Sequence, residues 1–271
     1  MARKDARDDA RRGPGEQARR CAGDHARIRA SARPWPRIGR VAATWVMAAG
    51  IALAAAPAAN GQVPDGFTPI FNGEDLAGWH ASRTTHHGST PNATVEDGAL
   101  VLRQFPFGQG GLLLTDARYR NFELYLETQV PWGINSGIFF RSTEGGSAYQ
   151  IELIGGGTGN TAGLLSEAMP IGVRASAPGL ADVWKEDDWN SFRLRVEGDA
   201  PRITLWVNGV EMWQVQQEQN DKIAGETDGH IGLQVHWSHT YTPIPDARCC
   251  PTSWKPDAAL MFRNIAIREL P

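Results

Sequence analysis

Six polar side chains, Asn135, Arg141, Gln150, Glu152, Gln234 and His236, fall on one parity of three short segments, 135–141, 149–154 and 230–237. Side chains on a strand alternate between faces with a period of two. If the segments are strands, these six share a surface, while Ser136, Ile138, Phe140, Tyr149, Ile151, Leu153, Ile231, Leu233, Val235 and Trp237 take the other. A solvated strand face is usually rich in Lys, Glu and Thr. This one offers a guanidinium, a carboxyl, an imidazole and three amides, with Gly137 and Gly232 leaving room beside them. Such a lining suits a cleft that binds a polyhydroxylated ligand, since amides and guanidinium supply fixed donors and a carboxyl with an imidazole can trade protons. A structural alternative stands beside this reading: Arg141 pairs with Glu152 across neighbouring strands.

The elements that must position these groups are strands throughout. Segments 67–71, 111–114, 122–130, 192–197 and 260–270 read as strands. Asp97-Gly98 and Asn208-Gly209 sit between alternating runs and mark tight hairpins. Short helical turns are expected near 73–79 and 216–223, and no segment carries a long 3.6-residue apolar period. Many short strands at regular spacing predict an all-β jelly-roll sandwich of two antiparallel sheets. Two stretches, 79–92 and 155–189, are too long for hairpin loops, and loops of that length often carry function. The first holds His86 and His87. Trp79 and Trp132 border loops and are candidates for stacking on sugar rings, whereas Trp237 points inward by parity. Gly155-Gly156-Gly157-Thr158-Gly159 lacks the Lys of a phosphate-binding loop and reads as a turn.

The 271 residues divide at an apolar boundary. Residues 1–40 are crowded with Arg, Ala and Asp, and 41–64 carry no charge. Ala59-Asn60-Gly61 offers the small residues a signal peptidase reads. We therefore expect residues 1–61 to be a charged leader and signal peptide, residues 66–271 to form one exported domain, periplasmic or secreted, and no stable membrane association after cleavage. A retained anchor is the alternative, although the apolar run is short for a span. A net charge of −3 does not favour nucleic acid as a partner. Of three cysteines, Cys21 lies in the leader and Cys249 and Cys250 are adjacent, which leaves no disulfide framework and no Cys-x-x-Cys metal knuckle.

The run 66–79, ending Phe71-Asn72-Gly73-Glu74-Asp75-Leu76-Ala77-Gly78-Trp79, resembles the opening of the 3-keto-disaccharide hydrolase domain family. Asn135-Ser136-Gly137-Ile138-Phe139-Phe140-Arg141, Tyr149-Gln150-Ile151-Glu152, Asp188-Trp189-Asn190, Ile231-Gly232-Leu233-Gln234-Val235-His236 and Phe262-Arg263-Asn264-Ile265 are similar to further motifs of that family, in order. The resemblance implies a concanavalin-like jelly roll and an oxidised, 3-keto saccharide as substrate. The loop 82–88, with His86 and His87, departs from the family pattern and reads as a binding loop of a subgroup.

Conventional jelly-roll glucanases place paired carboxylates on one strand as Glu-x-Asp-x-x-Glu, and that spacing is absent, Glu152 standing alone. A ketone at sugar carbon 3 changes the requirement. It acidifies the proton on carbon 2, and the glycosidic oxygen on carbon 1 is then expelled by elimination, with water adding afterwards. This needs a base, an acid and a group to hold the enolate oxygen. His236 is assigned as base, Glu152 as the acid or as the group orienting His236, and Arg141 as the enolate stabiliser; Glu152 and His236 could exchange roles. Asn135, Gln150, Gln234, Trp79, Trp132, His86 and His87 are assigned to substrate binding. No cofactor is certain; a divalent metal could be held among His80, His86, His87, His230 and His239, although none of their spacings is diagnostic. A carbohydrate-binding module without catalysis remains the alternative function.

Overall fold

Asp97 and Gly98 adopt positive φ, 50° and 78°, and so do Asn208 and Gly209, 50° and 81°. Both pairs therefore make the primed turns whose twist matches antiparallel strands. In the computed structural model, which describes residues 63–155, 160–237 and 254–271, these turns join β3 (Ala93–Glu96) to β4 (Ala99–Arg103) and β11 (Arg202–Val207) to β12 (Val210–Gln216). The leader 1–61, Gly156 to Gly159, His239, Cys249 and Cys250 lie outside the described residues.

The remaining strands are β1 (Thr68–Pro69), β2 (Trp79–Ala81), β5 (Gly111–Thr115), β6 (Phe122–Gln129), β7 (Asn135–Ser142), β8 (Ala148–Ile154), β9 (Leu164–Glu167), β10 (Asn190–Glu197), β13 (His230–Val235) and β14 (Ala259–Glu269). They form two antiparallel sheets. The larger runs β12-β11-β10-β6-β14-β4-β3, with β1 added against β14; the smaller runs β2-β5-β13-β7-β8-β9. The predicted all-β sandwich is the observed fold. The helical turns expected near 73–79 and 216–223 are instead bends and turns, and a 3-10 turn at Leu180–Asp182 is the helix among the described residues. Asn72 explains the first case: its Oδ1 accepts the N–H of Glu74 and Asp75, and this local bonding competes with a helical ladder.

The sheets close through their apolar faces. Leu124, Leu126, Phe192, Leu194, Leu205 and Phe262 meet Ile138, Phe140, Tyr149, Ile151, Ile231 and Leu233 in one buried cluster. Alternation has placed these side chains inward on both sheets, and burial of this kind stabilises by about 25 cal/mol per Å² of apolar surface. The outer face of the smaller sheet has its own apolar floor, Leu112, Leu114, Phe139 and Ala148, all fully buried. The loop 82–92 covers it.

That loop is held at both ends. Ser82 N–H donates to Leu112 O at 2.8 Å and Thr90 N–H to Gly110 O at 3.1 Å. Glycine is required where it presses on the sheet: a Cβ on Gly110 would stand 2.3 Å from Val235 O and 2.9 Å from His87 O. Its first residues are clamped by Glu144, whose Oε1 accepts Arg83 N–H at 2.9 Å and whose Oε2 lies 3.0 Å from His80 Nε2. The other ring nitrogen of His80 is 2.6 Å from Asp116 Oδ1.

Candidate active site

Strand register puts most of the expected residues on the outer face of the smaller sheet. Gln234 pairs with Leu112, Gly137 with Glu152, and Phe139 with both Gly232 and Gln150. Gln234, Gly137 and Glu152 therefore share a parity across three adjacent strands. The space above Gly137 is filled by the Gln150 amide, whose Nε2 would lie 2.3 Å from an added Cβ. Gln150 and Gln234 are buried, while Asn135 and Glu152 are half-exposed.

Arg141 is a correction. It does not line this face. Along β13 two steps separate His230 from Gly232, but their partners Ser142 and Phe139 are three apart, so β7 carries an extra residue. Arg141 has φ +48°, and the bulge reverses the parity after Phe140. The guanidinium turns into the protein, fully buried, and donates from Nε and Nη2 to Arg120 O at 3.0 and 2.6 Å and from Nη2 to Gly198 O at 2.8 Å. Burial pulls it down to about 10, still cationic at neutral pH. It neither pairs with Glu152 nor faces a ligand on this sheet.

Trp79 is a second correction. It is 6% exposed and its Nε1–H donates to Ile70 O at 2.7 Å, so it packs in the core instead of facing a sugar. Trp132 is half-buried in the turn after β6, with its Cα 2.9 Å from where a Cβ on Gly155 would stand. Trp237 lies past the end of β13, where parity no longer applies; its ring runs parallel to His236, at 7° and 6.2 Å between centroids.

The five histidines among the described residues separate. His80 and His230 form an edge-to-face pair, with His230 Nδ1 2.6 Å from Thr115 O. His86 and His87 are delivered by the covering loop. His87 is 2% exposed, meets Phe139 edge-on at 5.9 Å, and stands 6.0 Å from the His236 ring. Gln234 Nε2 lies 3.2 and 3.3 Å from its two ring nitrogens. Burial, with the imidazoles of His86 and His236 adding to it, lowers His87 to about 3, so it is neutral. Burial also lowers His236, helped by His86 and opposed by the Trp237 backbone. Burial raises Glu152, against a hydrogen bond from Asn160. The outer face thus carries both a carboxyl that holds its proton longer than usual and imidazoles that give theirs up early.

Three contributors were not foreseen. Glu167, at the end of β9, lies 3.2 Å by Oε1 from His86 Nε2 and 3.9 Å by Oε2 from His87 Nε2. Asn160 bonds Glu152. Gln104 Nε2–H donates to His236 O at 2.8 Å and fixes the chain where β13 ends. Glu167 and Asn160 come from the segment read as loop, where Leu164-Leu165-Ser166-Glu167 gave only four residues of strand signal.

The two sheets define a concanavalin-like jelly roll. The chain belongs to the 3-keto-α-glucoside-1,2-lyase-like domain family, whose sequence pattern matches residues 66–268. A 3-keto-disaccharide hydrolase of Bacteroides thetaiotaomicron is 35% identical over 86 residues, a stretch that spans 30% of this chain and 29% of that protein. A Parabacteroides distasonis crystal structure, provisionally described as a glycosyl hydrolase, superposes with a TM-score of 0.52 at 20% identity, over 76% of this chain and 94% of that one. The Bacillus licheniformis β-glucanase superposes with a TM-score of 0.50 at 11% identity, over 76% of this chain and 99% of its own. Both share the fold.

Proposed function

We propose that this chain cleaves glycosides whose sugar is oxidised to a ketone at carbon 3. His236 takes the proton from carbon 2, the bond from carbon 1 to the glycosidic oxygen breaks, and Glu152 gives its proton to the departing oxygen. The products are an unsaturated keto sugar and an alcohol. Water then adds across the new double bond, so that the net change is hydrolysis. The observation that carries this reading is the pair of opposed environments on one sheet face: burial raises Glu152 and lowers His236, which suits the first to be the acid and the second the base. Gln150 and Gln234 are assigned the sugar hydroxyls, and Arg141 drops out of the mechanism. The family's name and that of the Bacteroides relative support the substrate class. The chemistry requires an oxidation elsewhere that makes the ketone.

The test is the pair His236→Ala and Glu152→Gln, assayed on a synthetic 3-keto-glucoside with product analysis. Each should lose about a hundred- to ten-thousand-fold in kcat with the fold intact. Near wild-type turnover in either variant refutes its role, and binding of the keto sugar without bond cleavage by the parent protein turns the reading into a carbohydrate-binding module. We extend the proposal to location: the leader directs export, and amino-terminal sequencing of the exported protein should begin near Gln62.

A further inference from the structure

The covering loop and the last residue of β9 bring two imidazoles and a carboxylate to one point. One ligand atom from each of His86, His87 and Glu167 lies within 4.8 Å of the other two. His86 and His87 are neighbours in sequence, yet their rings stand side by side, 4.0 Å between centroids and 38° apart, with both Nε2 atoms turned to the same carboxylate. Glu167 is half-buried and His87 fully so. A loop that merely covered the apolar floor at Phe139 would do so better with an apolar residue at position 87.

Two buried polar atoms beside this cluster lack hydrogen-bond partners, Gln234 Oε1 and His236 Nδ1. Gln234 is 1% exposed, so its stranded oxygen needs a physical account. Its Nε2 already lies 3.2 and 3.3 Å from the two ring nitrogens of His87, so the oxygen is the atom left open beside the cluster, and a cation held there would supply its missing partner. His87 Nε2 and Glu167 Oε2 face each other at 3.9 Å, too long for a hydrogen bond. A divalent ion with bonds of about 2.0 Å to each would fit that gap.

We propose that His86, His87 and Glu167 bind a divalent cation of the zinc type. Two imidazoles and one carboxylate are a donor set for a borderline ion, not for calcium or magnesium, and three protein ligands leave coordination open to a further oxygen. That oxygen is the ketone of the substrate; this part of the inference rests on the proposed function, and it supplies the enolate stabilisation that the buried Arg141 does not. Asp116, Glu144, His80 and His230 form a separate group and supply no ligand; Glu144 only holds the start of the loop.

The experiment uses untagged full-length protein stripped with a chelator, titrated with Zn²⁺ against a chromophoric competitor. One ion per chain is expected. Glu167→Gln and His87→Ala should each weaken binding by about a hundredfold or more, since even partners one shell out from a metal cost about 10- to 100-fold, and Glu96→Gln, a carboxyl change on the other sheet, should not alter it. Glu167→Gln is a substitution on a half-exposed strand end, so it tests the site even where His87→Ala fails to fold. Failure to bind Zn²⁺ at one per chain, or binding unchanged by Glu167→Gln, overturns the site. Full turnover of a 3-keto-glucoside by metal-stripped protein overturns the metal's part in the reaction and leaves the proposed function standing. Stoichiometric Zn²⁺ binding in a protein that never turns over that substrate supports the site and removes the function.

Discussion

Replacing Arg141 by Ala separates a structural arginine from a chemical one. Its guanidinium is fully buried and gives three N–H···O bonds to two carbonyls, Arg120 O and Gly198 O. Removing it strands both acceptors, at about 1–3 kcal/mol each where they are buried. The vacated volume adds a cavity cost, about 2–5 kcal/mol for large-to-small changes in a core. Relief from burying a cation runs the other way. The lowered value near 10 shows that the fold disfavours the charge, and with both the folded and the unfolded values above 9 that penalty is constant across neutral pH. The balance is a loss of roughly 4 kcal/mol, a large share of the 5–15 kcal/mol that holds a domain together. Urea unfolding followed by tryptophan fluorescence reads the stability, and initial rates on a 3-keto-glucoside at low temperature and saturating substrate read the chemistry. We expect the unfolding midpoint to fall sharply while kcat of the folded protein stays within about tenfold, equivalent to ~1.4 kcal/mol in the barrier. Stability within about 1 kcal/mol of the parent, together with a kcat loss of a hundredfold or more, would mean that Arg141 acts on the enolate, and the argument from the β7 bulge would be wrong.

The pH profile of kcat should fall on the acid side through a group below the ordinary histidine value and on the alkaline side through one above the ordinary carboxylate value, because burial lowers His236 and raises Glu152; in Glu152→Gln the alkaline limb should vanish, and its persistence would assign that limb elsewhere. Gly137→Ala places a methyl 2.3 Å from Gln150 Nε2 and should displace that amide, raising KM about tenfold at a stability cost of about 1–3 kcal/mol; an unchanged KM would show that Gln150 holds no hydroxyl. Burial works against protonation of His80, but Glu144 and Asp116 outweigh it and raise the group. Its folded value exceeds the unfolded one near 6.5, so the stabilisation is complete below 6.5 and is lost as pH rises through the folded value. Urea midpoints measured from pH 6 upward should therefore decline by more in the parent than in His80→Asn, and parallel curves would remove His80 from the clamp on the covering loop.

Local signals in the chain were enough to specify the sandwich. The Asp97-Gly98 and Asn208-Gly209 pairs determine two hairpins because only residues tolerant of positive φ close such turns, and strict alternation in 149–154 and 231–235 determines which side chains enter the core. The same alternation put Gln150, Glu152 and Gln234 on the outer face, because period two holds wherever a strand runs without interruption. It failed at Arg141: parity is counted from residue to residue, and a bulge resets it. A Cβ on Gly229 would stand 2.3 Å from the Arg141 carbonyl carbon, so the bulge belongs to a close approach between segments 88 residues apart, which no window of sequence contains. Trp79 carried a loop's context but a core partner, Ile70 O. Glu167 and the pair His86-His87 are 80 residues apart and meet only because β9 pairs with β8 beneath a loop anchored on Gly110 and Glu144. Residue types named the available chemistry; which groups stand within reach of one another was decided by packing, since those distances arise from contacts the chain makes only once folded.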